Sequence, residues 1–452
     1  MDIVIAGCGK IGTTVIESLS NEGHSVTAID KSSDTLDRIS DMYDVMTVCG
    51  NAADCDVLDE AAIDKAELFV AITDSDELNM LCCYIAKKMG AKNTIARIRT
   101  PGYTEKSLGF LRQHLDLSVS VNPDRLAAEE LYNMLKIPSA MNVETFSRRN
   151  FEMIELKVRE GSILCRKKLM ELKRKFPGEY LIGVVRRGDQ TYIPDGNFEI
   201  LENDIIGITA SHTEIHKLFK ALGIMQRQVK SVLIVGASRT AYYLAKMLIA
   251  GGSNVTIVEK DRQRCHEVSE KLRNAVIIHG DGANQELLLE AGIENADAFV
   301  SLTGMDEENI LLSYYANSKN VPKVITKINR KEFALISKKM GLETIISPKS
   351  ITADIFIRYA RALKNSLGSK IETLYKLMDG TVEALEFEAQ NDPKYARIPL
   401  KTLTLKKNTL VAGIIRGRKI IIPMGDDYIA PGDKVVILTA GKRMNDLADI
   451  VK

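Results

Sequence analysis

Three glycines near the start of the chain have the spacing of a phosphate-binding loop. A short apolar run at residues 3–5 leads into Gly7-x-Gly9-x-x-Gly12. In this pattern the first glycine allows a tight turn, the second lets the backbone approach phosphates, and the third lets a helix pack closely on the sheet. The helix then presents unpaired N–H groups to the phosphates. We expect the whole loop to bind a nucleotide: Gly7, Cys8, Gly9, Lys10, Ile11 and Gly12.

Two residues of this loop allow more than one interpretation. Lys10 could neutralise a phosphate, or it could be an ordinary solvated charge. Cys8 could be a redox-sensitive thiol, but a small residue accommodated between two glycines is the interpretation we favour.

An acidic residue follows the loop at the end of the second expected strand. Asp30 closes the run "SVTAID", eighteen residues after Gly12. An acid at this place accepts hydrogen bonds from ribose hydroxyls and repels a 2′-phosphate. The sequence therefore predicts NAD(H) or an adenine nucleotide as the ligand, rather than NADP(H).

The stretch "TDSDELN" at 73–79 follows the fourth expected strand and opens a helix. In a doubly wound sheet this places it across the ligand crevice from the glycine loop, where Thr73 and Asn79 could hydrogen-bond to ribose or phosphate. Asp76 and Glu77 fit the acidic first turn of a helix better than a phosphate contact. Arg97, and Lys327 at the corresponding place in the second half, could supply a cation to the crevice or form a surface salt bridge.

The second half of the chain repeats the first. "SVLIVGASRTA" begins at Ser231, and with an offset of 229 residues Gly7 matches Gly236 and Asp30 matches Glu259. "FVAITDSDELN" at 69–79 likewise matches "FVSLTGMDEEN" at 299–309. The second loop is altered, because Ser238 and Ala241 replace two glycines and Arg239 replaces Lys10. We expect a second nucleotide site at Gly236, Ser238, Arg239 and Glu259, with an empty site as the equal alternative.

No catalytic or metal-binding motif accompanies the loops. The six histidines fall in no recognisable catalytic pattern, and His212 and His216 share a helix face without a third ligand. The seven cysteines include no CxxC pair, so neither a zinc site nor a disulfide framework is expected. We therefore expect no catalytic and no metal-binding residues. The alternative is an NAD-dependent oxidoreductase with duplicated nucleotide-binding domains, which needs a proton relay near the crevice.

Composition limits the classes of partner. The formal net charge is +1 and tryptophan is absent, which argues against nucleic-acid binding. No window approaches the roughly 18 apolar residues of a membrane span, and the start of the chain does not resemble a secretory signal. We expect a cytoplasmic protein that does not insert into the membrane.

Each half divides into a large and a small domain. Short β-branched runs alternate with helical patterns in the large part, which predicts a Rossmann-like, doubly wound parallel sheet. A helical stretch begins after Pro123 and another after Pro348, and a small strand-rich α+β domain follows each. We expect the small domains and the apolar faces of these two helices to contribute contacts between copies of the chain. The predicted limits are large domains at 1–122 and 230–348, crossover helices at 123–147 and 349–372, and small domains at 148–225 and 373–452.

These motifs together resemble the TrkA family of bacterial Trk potassium uptake regulators. The resemblance rests on "IVIAGCGKIG", Asp30, "GNAADCDVL", "TDSDELN", "ARIR" and "LIGVVRRG…YIPDGN", and it covers nearly the whole chain as two RCK-type units. One departure is Asn51, which replaces the usual acid of the "GDA" motif, whereas the second half keeps Asp281.

The resemblance implies a regulatory protein rather than an enzyme. It implies NAD(H) as cofactor, with ATP or ADP as further candidates, bound by Gly7, Gly9, Lys10, Gly12, Asp30, Thr73 and Arg97. It also implies a homo-oligomer, a ring tetramer, beneath a membrane potassium transporter subunit at the inner face of the membrane. An RCK assembly acting on a potassium channel or antiporter is the remaining alternative.

Overall fold

The computed structural model describes residues 1–103, 105–146, 151–224, 228–366, 371–441, 444 and 446–452. The predicted limits at 147, 148 and 225 fall outside this part of the chain, and the domain limits remain predictions. Among the described residues, no helix combines the length and apolarity that crossing a membrane requires.

The first large domain is a six-stranded parallel sheet with helices on both faces. The strand order is β3-β2-β1-β4-β5-β6, and it reverses between β1 and β4. Ile5 lies opposite Ala28 on one side and Val70 on the other, and all three are fully buried. The elements are β1 (Asp2–Ala6), α1 (Lys10–Asn21), β2 (Ser25–Asp30), α2 (Ser33–Met42), β3 (Met46–Cys49), α3 (Cys55–Glu60), β4 (Leu68–Ala71), α4 (Asp76–Lys88), β5 (Thr94–Arg97), α5 (Glu105–His114) and β6 (Val119–Val121).

A helix and a small antiparallel sheet follow. The sheet order is β11-β10-β13-β8-β7, with a separate two-stranded pair formed by β9 and β12. These elements are α6 (Pro123–Lys136), β7 (Asn142–Phe146), β8 (Phe151–Lys157), β9 (Lys167–Lys168), α7 (Leu169–Lys175), β10 (Tyr180–Arg187), β11 (Gln190–Tyr192), β12 (Glu199–Ile200), β13 (Ile205–Ser211) and α8 (His212–Ala221).

The second half repeats both sheets. The parallel sheet has the order β16-β15-β14-β17-β18-β19 and the antiparallel one β20-β21-β24-β22-β23. The prediction of two tandem α/β units, each with a parallel sheet and a small strand-rich domain, is confirmed. The elements are β14 (Ser231–Val235), α9 (Arg239–Ala250), β15 (Asn254–Glu259), α10 (Arg262–Lys271), β16 (Ala275–His279), α11 (Gln285–Glu290), β17 (Ala298–Ser301), α12 (Asp306–Ser318), β18 (Lys323–Lys327), α13 (Lys331–Lys339), β19 (Thr344–Ile346), α14 (Pro348–Ser366), β20 (Ile371–Leu377), β21 (Val382–Glu388), β22 (Thr409–Arg416), β23 (Lys419–Ile421) and β24 (Lys434–Ala440).

Each of the two connecting helices, α6 and α14, packs on the large domain of the other half, and we call them the exchanged helices. The buried side of α6, including Leu131 and Leu135, packs on Leu244 of α9 in the second large domain. The buried side of α14, including Phe356, packs on Val15 of α1 in the first. The apolar faces of both helices are thus covered inside the chain, which corrects our expectation that they form contacts between copies.

The small domains also contact each other. Phe146, Phe151 and Tyr375 share one apolar cluster, and Phe146 meets the Tyr375 ring edge-on at 4.9 Å between centroids. The amide of Met378 donates to the buried carboxylate of Glu155 at 2.9 Å. The two halves are therefore joined at the exchanged helices and at the small sheets.

Candidate nucleotide site

Gly7 and Gly12 are required by the backbone of the first loop. Gly7 has φ +97°, and a Cβ there would lie 2.8 Å from the backbone of Ile72. A Cβ at Gly12 would lie only 2.0 Å from the carbonyl oxygen of Gly7. Both positions admit only glycine without movement of the backbone, because the turn and the helix are in direct contact there.

Gly9 faces open space. It is the N-cap of α1, no side chain caps the helix, and a Cβ built at Gly9 meets nothing within 4 Å. Lys10 beside it is exposed, and Ile11 is partly buried. The first N–H groups of a helix have no intrahelical acceptor, and they carry the positive end of the helix dipole. An anion such as a pyrophosphate fits this place.

Asp30 holds the loop in position. Its Oδ2 accepts a hydrogen bond from the Cys8 amide at 2.6 Å, and its Oδ1 accepts one from the Ser32 amide at 2.9 Å. The carboxylate therefore fixes the loop while it stands at the end of β2, where a ribose would lie.

Cys8 contributes its backbone to this arrangement. Its side chain is 2% exposed, and burial, with a smaller contribution from Asp30, raises the pKa of the thiol to about 12. Because the thiolate is the reactive form, the redox-sensor alternative is not supported by this environment.

The opposite wall of the crevice is tied together by Asn79. This buried amide accepts from the Thr73 amide and hydroxyl, both at 2.7 Å, and donates to the Arg97 carbonyl at 2.9 Å. Arg97 is 6% exposed and its guanidinium donates to the Thr73 carbonyl. Burial lowers the pKa of Arg97, with a smaller effect of Arg99. Arg97 is thus a buried cation beneath the crevice wall, and the alternative of a surface salt bridge is wrong.

Asp76 has a structural role. Ser75 is the N-cap of α4, and Asp76 is the first residue of the helix. The Asp76 carboxylate accepts from the amides of Arg99 and Thr100 at 3.0 and 2.7 Å. This agrees with our preference for a helix-terminal role, and it also fixes the loop that follows β5.

The second loop has the same supporting hydrogen bond as the first, but its helix N-terminus is different. Gly236 has φ +94°, and Glu259 accepts from the Ala237 amide at 2.6 Å, as Asp30 does from Cys8. However, the Ser238 hydroxyl accepts from the Ala241 amide at 3.2 Å, so this helix is capped by its own chain. Arg239 is exposed. A cavity of about 290 Å³ adjoins the loop and is lined by Ser238, Glu259, Thr303 and Met305, among others.

Sequence reasoning missed the contribution of the exchanged helices. Asp124 of α6 accepts from the Thr240 hydroxyl at 3.3 Å, directly beside the second loop, and forms a 2.8 Å ion pair with Arg99. The repeated prolines at 123 and 348 mark the two helices, but they do not indicate which sheet each one covers. Among the described residues, no group of three or more His, Cys, Asp or Glu side chains could hold a metal ion.

Comparison with known proteins identifies the family. Residues 3–111 and 232–348 match the TrkA-N domain, and residues 153–223 and 384–452 match the TrkA-C domain. The chain belongs to the TrkA family. The predicted family is therefore confirmed, in both halves.

Curated relatives match over their full length. The Trk system potassium uptake protein TrkA homolog of Archaeoglobus fulgidus is 31% identical over 453 residues, with 100% of both chains covered. Homolog 1 of Methanosarcina mazei is 30% identical, also with 100% of both chains covered. The TrkA protein of Vibrio alginolyticus is 28% identical, covering 98% of this chain and 96% of the relative.

Solved structures share the fold. The GsuK channel bound to NAD superposes with a TM-score of 0.64 at 17% identity, covering 97% of this chain and 77% of that one. GsuK bound to ADP superposes with a TM-score of 0.52 at 15% identity, covering 81% and 69%. At this identity the likeness concerns the fold alone.

Proposed function

We propose that this chain is the nucleotide-binding regulatory component of a membrane potassium-uptake system. Full-length similarity to curated Trk system potassium uptake proteins supports the process, and the open N-terminus of α1 at Gly9 supports the ligand. Nucleotide binding would act by linkage, since a ligand shifts a conformational equilibrium by its difference in affinity between states. A coupling of about 1–3 kcal/mol changes an equilibrium roughly 5- to 150-fold.

We place the main nucleotide site at the first loop. Gly7, Cys8, Gly9, Lys10, Ile11 and Gly12 would surround the phosphates, with Asp30 at the ribose and Thr73 and Arg97 on the opposite wall. NAD(H) is the first candidate, and ATP or ADP the second. The names of the GsuK structures, one bound to NAD and one to ADP, agree with this choice. The second loop, at Gly236, Ser238, Arg239 and Glu259, would bind more weakly.

Gly9→Ala tests this site while sparing the fold. Its Cβ would enter open space, and φ −66° suits any residue, so the free energy of unfolding should change by less than about 1 kcal/mol. The same methyl group would stand where phosphates approach, so calorimetry should show at least tenfold weaker binding of NADH. Asp30→Ala should also weaken binding, whereas the matched Glu259→Ala should leave the main binding step unchanged. Loss of binding in Glu259→Ala alone would place the site in the second half.

We further propose that the chain forms a homo-oligomeric ring that binds its transporter subunit. Leu81 and Tyr84 on α4 are 50% and 36% exposed, and Leu311 and Tyr314 at the same positions of α12 are 67% and 53% exposed. Two equivalent apolar patches on one chain allow each copy to contact two neighbours, which closes a ring.

Light scattering tests the ring. The purified protein should run well above its 50.1 kDa chain, near four chains if the ring is a tetramer. Leu81→Glu with Leu311→Glu should dissociate it, whereas the matched pair Lys87→Glu and Lys220→Glu should not. A monomeric wild-type chain would contradict the ring.

Potassium uptake measurements test the proposed regulatory role. Potassium uptake by vesicles that contain the transporter subunit should respond to the nucleotide only when the chain is added. Turnover of NADH with small aldehydes, acids or alcohols, in the absence of any transporter, would instead favour the oxidoreductase alternative.

A further inference from the structure

Helix α14 lies along α1 in parallel register. At the far end of α1, the Arg361 guanidinium donates through Nε and Nη2 to the Glu22 carboxylate, both at 2.6 Å. Between the helices, Ala353 and Phe356 share an apolar cluster with Val15. Lys349 precedes Arg361 by the same number of residues as Lys10 precedes Glu22. Because both helices rise about 1.5 Å per residue, this pairing brings Lys349 beside Lys10 at the mouth of the first loop.

Helix α6, the other exchanged helix, shows which residue the second position of such a helix contacts. Asp124 is the second residue of α6, as Lys349 is the second residue of α14. Asp124 reaches Thr240, the second residue of α9, at 3.3 Å between oxygens. We infer that Lys349, at the same position of α14, lies near the first turn of α1.

The charges delivered to the two loops are opposite. The second loop receives the Asp124 carboxylate, already paired with Arg99. The first loop receives the Lys349 ammonium, which lies within electrostatic range of that of Lys10. Burial lowers the pKa of Lys349, the positive charges of Lys10 and Arg330 lower it further, and Asp306 partly offsets these effects. Two ammonium groups at the positive end of a helix dipole repel one another until an anion lies between them.

We propose that Lys349, supplied by the second half of the chain, is a phosphate-binding residue of the first glycine loop. It favours ligands that end in a phosphate, because a terminal phosphate carries more negative charge than the internal pyrophosphate of a dinucleotide. The inference rests on the proposed nucleotide function. With Lys349 included, the first site is built from residues of both halves. A nucleoside di- or triphosphate bound there therefore also holds α14 against α1.

Calorimetry on the full-length protein with ATP, ADP and NADH tests this. Lys349→Gln should weaken ATP and ADP about tenfold, the size expected for one charge-assisted hydrogen bond, and NADH less than about threefold. Lys349→Arg, which keeps the charge, should retain most of the ATP affinity. Lys220→Gln removes an exposed lysine of α8 and should change none of the three affinities.

The outcomes separate the two claims. Unchanged ATP and ADP affinity in Lys349→Gln, with binding intact in the wild type, would overturn the role of Lys349 and leave the proposed function standing. Equal losses for ATP and NADH would overturn the preference for terminal phosphates. Absence of binding by the wild type to all three nucleotides would overturn the proposed function and this inference with it. A thermal unfolding scan of each variant shows that the fold is retained.

Discussion

At the first loop, Gly9 leaves the helix N-terminus open and Lys349 approaches from the other half; at the second loop, Ser238 caps the helix and Asp124 approaches instead. Yet the supports behind the loops are the same. Asp30 and Glu259 hold their loops by the same amide, and Asn79 and Asn309 bond the same wall at 2.7 and 2.9 Å. The second half has kept an acid and an asparagine that hold the crevice, but Ser238 and Ala241 replace two glycines within its loop. We infer that the second unit contributes mainly to the structure of the chain, and that the first unit is the main nucleotide-binding unit.

The largest expected effect concerns the helix contact at the loops. Gly12→Ala forces a Cβ to within 2.0 Å of the Gly7 carbonyl, so the helix must move. Overpacking of this kind costs about 1–3 kcal/mol or more in free energy of unfolding, and nucleotide binding should be lost. The matched change in the second half, Ala241→Gly, should cost only about 1 kcal/mol. Denaturant unfolding and calorimetry measure both, and an unaffected Gly12→Ala variant would show that the two loops are less different than the geometry indicates.

The exchanged helices differ in how they are fastened. Arg361 of α14 is joined to Glu22 by two short hydrogen bonds, and the side chains are 20% and 12% exposed. At the end of α9, Gly251 occupies the place of Glu22, so this position offers α6 no carboxylate. Arg361→Met should therefore lower the free energy of unfolding by about 2 kcal/mol, because it removes both hydrogen bonds from the partly buried Glu22 carboxylate, whose other basic neighbour, His24 Nε2, lies 4.0 Å away.

The control for Arg361 is an exposed ion pair. Lys401 and Asp426 are joined by a salt bridge whose side chains are 60% and 86% exposed. Lys401→Met should change the free energy of unfolding by less than about 0.5 kcal/mol. A double variant, Glu22→Leu with Arg361→Met, should recover much of the stability lost in Arg361→Met. If all three variants unfold alike, the helix is held by its apolar face alone.

The sequence predicts the scaffold more fully than the site. The two parallel sheets are predicted correctly, because buried parallel strands read as short β-branched runs between amphipathic helices. The exchange of α6 and α14 was not predicted, since an apolar face does not specify the surface that covers it. The Glu22–Arg361 pair joins residues from opposite halves and leaves no local signal. Ser238 was read as a small residue, although serine is also a preferred N-cap, and that preference was the available signal.

A third contrast lies at the junction of the helices with the small domains. The pKa of Glu130 of α6 is raised to about 8, mainly by burial, with Glu144 and Asp354 adding to the shift and Arg358 opposing it. Glu144 itself has a raised pKa of about 7, with Glu155 also facing it. The matching position of α14 is Ile355. One helix therefore carries a buried acid where the other carries an apolar side chain.

The sign of the pH effect follows from this shift. Between about pH 4.5 and pH 8 the folded chain keeps a proton that the unfolded chain has released, so stability should fall as the pH rises through this window. Glu130→Gln should flatten the dependence, which thermal unfolding across the window measures. The matched variant Glu129→Gln, at a side chain 42% exposed, should keep the wild-type slope. An equal slope in all three proteins would assign the titration to other groups.

The smallest expected change in stability is at Ser238. Replacement of a serine N-cap by glycine costs only a few tenths of a kcal/mol, so Ser238→Gly should unfold like the wild type. The change removes the hydroxyl that accepts from the Ala241 amide, so the N-terminus of α9 becomes uncapped, as that of α1 is. Because the adjoining cavity of about 290 Å³ is already present, this variant should gain affinity for NADH at the second loop by a few fold. The affinity of the second loop for NADH should still stay below that of the first loop, since Ala241 and Asp124 remain. Calorimetry in a Gly9→Ala background isolates the second loop, and Ser211→Gly, at the serine N-cap of α8, is the control in the same background. Binding restored to the level of the first loop would show that the self-cap alone separates the two sites, and no gain at all would place the difference in the opposite charges that the exchanged helices deliver.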